Sequence, residues 1–315
     1  LASAAAVHAA ASARKAEAPR IMVMLKLGAE HFRSGSSYGG DYGDSMGQEA
    51  RLRVARKIAR EHHLTLVDNW PMQMIGVDCL IMSVDDGRSA QQAADELTKV
   101  QGVPFTVDAR CIIPRSLIAE PLADGSIDAW LSERTRRVLD LCTGNGSLAV
   151  LAAMAWPEVV VDAADLSADA LAVARINVDR HGLGGRITLH QGDGLGAVAG
   201  QVYDLVLCNP PYVNRASMAA LPPEFRAEPA LALDGNAAGS HDGMDFIRTL
   251  LQQAPQHLSP EGVLVLEIGH ERPHFEAAFP ALEAVWLPTS AGDDQVLLLS
   301  RDALLSLPSP TPPAP

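Results

Sequence analysis

The sequence predicts an α/β chain: a doubly wound, mostly parallel sheet ending in an antiparallel hairpin, preceded by a smaller α+β module. Three observations predict it. From residue 137 onward, short apolar runs alternate with stretches of helical periodicity, the pattern of a parallel sheet covered on both faces. Near the end, residues 284–287 and 295–300 lie too close together for a crossover, so they must pair antiparallel. Before residue 108 the order of runs is β-α-β-β-α-β, the ferredoxin-like split pattern. With 315 residues, 48% of them hydrophobic, the chain has apolar material for two cores. The expected division is an Ala-rich disordered tail over 1–19, the ferredoxin-like module over 20–107, the larger domain over 108–304, and a Pro-rich disordered tail over 305–315.

In the first module, residues 20–26 read as a strand and the Gly/Ser/Tyr-rich residues 35–43 as a loop. Met46, Ala50, Val54, Ala55, Ile58 and Ala59 fall at helical spacing within residues 45–63. A second strand over 64–70 is expected to break at Pro71, and a third covers 77–84. Ser89 is a good N-cap for a helix over 90–100, and residues 104–107 complete the set. This stretch, residues 20–105, resembles the propeptide domains of secreted subtilisin-type proteases in element order. No protease triad follows it. It reads either as a protein-binding module or as a packing domain without activity of its own.

In the second domain, residues 117–122 and 127–131 read as short helices. Residues 137–149 read as a strand, a glycine turn and a helix start. Gly144 and Gly146 let the backbone approach a ligand closely, in a G-x-G-x-x-A pattern. Asp140 stands at the strand end before them. An acid there repels a pyrophosphate but pairs with the ammonium of an amino-acid ligand, which favours S-adenosyl-L-methionine over a dinucleotide. After a strand over 158–163, Asp165 lies 19 residues beyond Gly146, an offset that suits a ribose diol. Ser167 caps a helix over 168–181. A strand over 186–190 leads to Asp193 and Gly194, where a carboxylate suits an adenine amino group. Strands over 203–208 and 263–268 follow, and the closing hairpin is expected to turn at 292–294. Three acids ending three different strands suit one extended ligand better than a metal ion, and no metal is expected.

The strand over 203–208 runs into Asn209-Pro210-Pro211-Tyr212. Two prolines have a fixed φ and no N–H, so they form a stiff turn with carbonyls free to accept. The Asn209 side-chain oxygen and the Pro210 carbonyl together suit both hydrogens of an –NH2 group, and Tyr212 adds a flat face. An amide nitrogen is a poor nucleophile because its lone pair is delocalised. Holding both N–H groups while a ring packs against the planar group favours a pyramidal nitrogen. The stretch therefore reads as a site for amino or amide nitrogen nucleophiles, against the plainer reading of a proline-rich turn.

A net charge of −13 argues against a sequence-independent grip on nucleic acid, which needs clustered Lys and Arg. Cys79, Cys111, Cys142 and Cys208 contain no C-x-x-C pair, and scattered thiols with burial as the plain reading fit a reducing, cytoplasmic location. No uninterrupted apolar run reaches membrane-spanning length.

Residues 110–116, 140–146, 209–213, 221–229 and 289–295 together resemble the protein-(glutamine-N5) methyltransferases, over roughly residues 104–302. Cys142, Val213 and the Ser290-Ala-Gly-Asp-Asp-Gln295 turn tilt the resemblance toward the branch acting on ribosomal protein uL3. The neighbouring branch acts on the GGQ glutamine of peptide-chain release factors. The resemblance implies a class I, Rossmann-like fold of seven strands and S-adenosyl-L-methionine as cofactor. Asp140, Cys142, Thr143, Gly144, Gly146, Asp165, Leu166, Asp193, Gly194 and Asn209 would line the cofactor site. Asn209, Pro210, Pro211 and Tyr212 would hold the glutamine amide. Two departures bear on substrate choice: family members carry a helical amino-terminal domain, and Leu117 and Pro121 alter the run after Pro114-Arg115-Ser116. His270, in Glu267-Ile-Gly-His270-Glu271, reads as a general base or as a loop histidine at the sheet rim. A DNA N6-adenine methyltransferase and a non-catalytic cofactor-binding fusion remain as alternatives.

Overall fold

The computed structural model describes residues 20–25, 45–72, 77–97, 105–221 and 225–307. The expected tail over 1–19, residues 308–315 of the tail expected over 305–315, and the loop over 35–43 lie outside them, whereas Leu305 ends a helix begun at Arg301. The chain runs β1 (Arg20–Leu25), α1 (Ser45–Glu61), β2 (Leu64–Met72), β3 (Val77–Val84), α2 (Ala90–Leu97) and β4 (Phe105–Asp108). After α3 (Ala119–Ala123) and a 3-10 turn at Ser126–Trp130 come β5 (Arg137–Leu141), α4 (Ser147–Ala155), β6 (Val160–Asp165), α5 (Ala168–Arg180), β7 (Ile187–Gln191) and β8 (Tyr203–Cys208). Then follow α6 (Arg215–Ala219), α7 (Asp245–His257), β9 (Leu258–Glu267), α8 (Arg272–Ala278), β10 (Val285–Thr289), β11 (Gly292–Ser300) and α9 (Arg301–Leu305).

The first four strands form an antiparallel sheet in the order β2-β3-β1-β4, as the split pattern predicts. Pro71 does not break β2, which continues to Met72 with Pro71 opposite Asp78. β2 is an edge strand, and there a missing N–H need face no neighbour. Helices α1 and α2 cover one face through Ala55, Ile58, Ala59, Ala93 and Leu97 against Ile21, Val23, Leu80 and Met82.

The other seven strands form one sheet in the order β10-β11-β9-β8-β5-β6-β7. Strands β9, β8, β5, β6 and β7 are parallel, and β11 pairs antiparallel with both β9 and β10. The hairpin turns at Ser290 and Ala291, two residues earlier than expected, because Thr289 already pairs with Gly292. β6 begins and ends two residues later than expected, which makes Asp165 its last residue. The adjacent strands β5 and β8 read as largely apolar runs because both faces are covered. One face packs on α4 and α5 through Val138, Val161, Leu205, Ala149, Ala153 and Val173, joined by Phe105 and Val107 of β4. The other packs on α7, α8 and α9 through Leu139, Val206, Leu264, Ile247, Leu250, Phe275 and Leu304. Ser167 caps α5 as expected, its hydroxyl accepting from the Ala170 N–H at 3.1 Å.

Candidate functional site

The parallel register sets Ala164 beside Leu141, Leu141 beside Cys208, and Cys208 beside Leu266. The carboxyl ends of β6, β5, β8 and β9 therefore open on one edge. Strands β5, β6 and β7 progress in one direction and β8 returns to the other side of β5, so the order reverses between β5 and β8. Such a reversal leaves a crevice where open α/β sheets bind ligands. Asp140 and the glycine loop stand on one side of it and Asn209 on the other.

Asp140 is wholly buried. Its Oδ2 accepts the Ala149 N–H at 2.9 Å and the Thr143 hydroxyl, while Oδ1 has no partner among the described residues. Burial pushes its pKa up to about 7. An unpaired carboxylate oxygen away from water calls for a cation or a proton. Five residues on, the buried Asn145 Nδ2 is a donor with no partner among the described residues. The loop thus offers one unused acceptor and one unused donor. Cys142, half-buried rather than buried, takes φ +59°, at a cost of about 1–2 kcal/mol for a residue with a side chain. Gly144 follows with φ +55°, and the space a Cβ would occupy there is open. At Gly146, by contrast, a Cβ would come within 3.1 Å of Ala174, so that glycine serves the packing of α4 on α5.

Asp165 braces the same loop. Its Oδ2 accepts the Gly144 N–H at 2.9 Å and its Oδ1 the Ser167 N–H at 2.8 Å, and burial raises its pKa. Leu166, next in the chain, is 48% exposed, an apolar surface beside the loop. Asp140, Thr143, Gly144 and Asp165 are therefore drawn together by hydrogen bonds directly or through the loop. Asp193 is not: it lies two residues past β7, exposed, and its carboxylate bonds to none of the described residues.

Across the crevice, Asn209 directly follows β8 and is half-buried, and its carboxamide bonds to none of the described residues. The buried Pro210 likewise keeps its carbonyl free of them. Tyr212 is held. Its hydroxyl donates to Glu267 Oε1 at 3.4 Å, and burial pushes its pKa up. The turn after Tyr212 is fixed by the Val213 N–H on the Leu233 carbonyl and the Gly235 N–H on that of Val213.

Three groups that carry this arrangement were not legible as site residues. Glu267 ends β9 and accepts from Ser116 Oγ at 2.6 Å and the Leu117 N–H at 2.9 Å. Glu271 accepts twice from Asn214 Nδ2, at 2.8 and 2.9 Å. Arg115 pairs with Glu228. The signals were the acids of the Glu267-to-Glu271 run around His270 and the stretches 110–116 and 221–229 that hold Arg115 and Glu228. His270 itself stands exposed in the turn and bonds to none of the described residues, so a base role has no support in its placement.

A family model described as "Methyltransferase small domain" matches residues 127–233, which contain both the glycine loop and Tyr212. The ribosomal protein uL3 glutamine methyltransferase of Bordetella pertussis is 55% identical over 207 residues, covering 65% of this chain and 68% of that protein. Its counterpart from Burkholderia pseudomallei is 47% identical over 240 residues, covering 72% of this chain and 76% of that protein. A methyltransferase from Pyrococcus furiosus aligns at TM-score 0.43 and 17% identity, over 60% of this chain and 87% of that one, too distant to bear on chemistry.

Proposed function

The chain belongs to the ribosomal protein uL3 glutamine methyltransferases, and from that premise we propose that it transfers a methyl group from S-adenosyl-L-methionine to the side-chain nitrogen of a glutamine in uL3. The observation that carries the reading is the pair of acceptors on Asn209 and Pro210 that bond to none of the described residues, at the end of β8, the strand beside β5 and its glycine loop.

The cofactor fits the residues present. Asp140 Oδ1 would take its ammonium, the open side of Gly144 would admit it, and Asp165 with Leu166 would meet its ribose and adenine. Asp193 and Gly194 would form the rim. When bound, its sulfonium supplies an electrophilic methyl carbon, so the protein mainly provides positioning. Asn209 Oδ1 accepts one amide N–H of the glutamine and the Pro210 carbonyl the other. Pro211 keeps that corner rigid, and Tyr212 lays its ring along the carboxamide plane. Held so, the nitrogen lone pair is turned from the carbonyl toward the incoming carbon. The nitrogen–carbon bond would form as the carbon–sulfur bond breaks, leaving S-adenosylhomocysteine, and the surplus proton would pass from the same nitrogen to water.

Residues 108–304 would form the catalytic domain and residues 20–107 a separate module. No helix of the described residues is long and apolar enough to cross a membrane, and a substrate on the ribosome accords with a cytoplasmic site of action.

The test is a labelled-methyl assay with three acceptors: uL3, a release factor and duplex DNA. Label on uL3 supports the reading. Label on the release factor alone moves the enzyme to the neighbouring substrate, label on DNA to a different reaction, and label on none contradicts it.

A further inference from the structure

Resting on that reading, we infer that Glu267 is a positioning residue for the methyl acceptor, fixing the Tyr212 ring and, through the rigid Pro210-Pro211 corner, the two acceptors that receive the glutamine amide. Glu267 is 3% exposed and is the last residue of β9, so the sheet itself sets where its carboxylate lies. One oxygen takes Ser116 Oγ at 2.6 Å and the Leu117 N–H at 2.9 Å. The other takes the Tyr212 hydroxyl at 3.4 Å. Two residues on, Gly269 adopts φ +53°, and a Cβ there would come within 2.7 Å of the Tyr212 ring. The ring therefore lies against bare backbone, with its hydroxyl held by the carboxylate. Glu271 then holds Asn214 by its side-chain amide. The end of β9 and the turn leading from it to α8 thus grip Tyr212 and Asn214, alternate residues after the two prolines.

Both Glu267 oxygens accept from protein donors, Ser116 and Leu117 on one and Tyr212 on the other, so the buried carboxylate is placed to hold these groups. A buried carboxylate is also a costly way to fasten a strand end, and burial drives its pKa to about 7. What the carboxylate does that an apolar side chain does not is orient Tyr212 and the Ser116 turn together.

The experiment compares Glu267→Ala, Glu267→Gln, Tyr212→Phe and the Glu267→Ala/Tyr212→Phe double variant. It reads kcat and KM for uL3, affinity for S-adenosylhomocysteine, and the Tyr212 signal in NMR of carbon-labelled tyrosine, assigned by its loss in Tyr212→Phe. Glu267→Ala is expected to lower kcat about 100-fold, the scale of a misplacement of about 1 Å, with cofactor-product affinity unchanged. Glu267→Gln restores most of the rate, since its oxygen accepts from Ser116 and Leu117 and its amide donates to Tyr212. The double variant is expected to be hardly slower than Glu267→Ala alone. Independent, multiplying effects overturn the inference, and so does a Gln variant as slow as Ala. Parent enzyme that methylates nothing contradicts the functional reading instead. The Tyr212 signal still decides the contact, shifting in Glu267→Ala if it exists and staying put if it does not.

Discussion

Arg115 and Glu228 lie 113 residues apart in the chain and meet in a two-pronged ion pair, with N···O separations of 2.7 and 2.6 Å. Glu228 Oε1 also accepts the Ile113 N–H at 3.1 Å, and the Phe225 ring lies 4.7 Å from the Arg115 guanidinium. The pair fastens the segment before α3 to the segment after Leu221. Each segment reaches Tyr212 by its own route: Ser116 through Glu267, and Leu233 through its carbonyl on the Val213 N–H. The methyl-acceptor corner is thereby held from two sides.

Removing one partner strands the other. Arg115→Ala is expected to lower stability by roughly 2 kcal/mol, less than a fully buried pair loses because part of the Arg115 side chain stays in water. Arg115→Lys recovers little of it, since an ammonium cannot make two parallel bonds to a carboxylate. Urea unfolding of Arg115→Ala, Glu228→Ala and the double variant checks this, and the double variant should lose less than the two single losses added.

The lone Asp140 oxygen predicts a pH-dependent affinity for cofactor. With its pKa near 7 when the site is empty of cation, Asp140 gives up a proton when an ammonium docks beside it. Affinity for S-adenosylhomocysteine should therefore rise as pH climbs through about 7, and calorimetry in buffers of different ionisation heat should show proton release. Asp140→Asn should bind more weakly and lose that dependence. A pH-flat affinity in the parent enzyme contradicts the pairing.

Asp140 and Glu267 also shape folding stability. Both pKa values are raised to about 7, from 3.8 and 4.5. Between those limits the folded protein holds protons that the unfolded chain has released. Their contribution to stability therefore falls as pH rises from about 4 to about 7, and stays level above that. Asp140→Asn removes its own share. Measured by urea unfolding at about pH 5.5 and about pH 8, that variant should lose less stability on alkalinisation than the parent does. Equal losses contradict the assignment.

Much of this was legible in the sequence where information is local. The apolar run before Asn209 and the paired glycines after Asp140 each fix a strand end within a few residues, and parallel strands buried on both faces show as unbroken runs. Turn positions were less legible: Gly292 looks like the turn residue, but its pairing with Thr289 puts the turn at Ser290 and Ala291. Pro71 reads as a stop only until the strand is known to lie at an edge. Least visible were the partners of Glu267 and Arg115, which lie 151 and 113 residues away. No periodicity links such positions. They meet only because the segment before α3 folds back onto the end of β9 and onto Glu228.

Methyl transfer to ribosomal protein uL3, followed by mass spectrometry of its glutamine peptides with the parent enzyme and with Asn209→Ala, tests the central claim most directly. The expected result is one added methyl on a single glutamine side chain. In the variant, transfer should slow at least about 100-fold, the cost of losing one preorganised hydrogen-bonding group, while S-adenosylhomocysteine binding persists. Unmodified uL3, or a variant that transfers methyl as fast as the parent, contradicts the account.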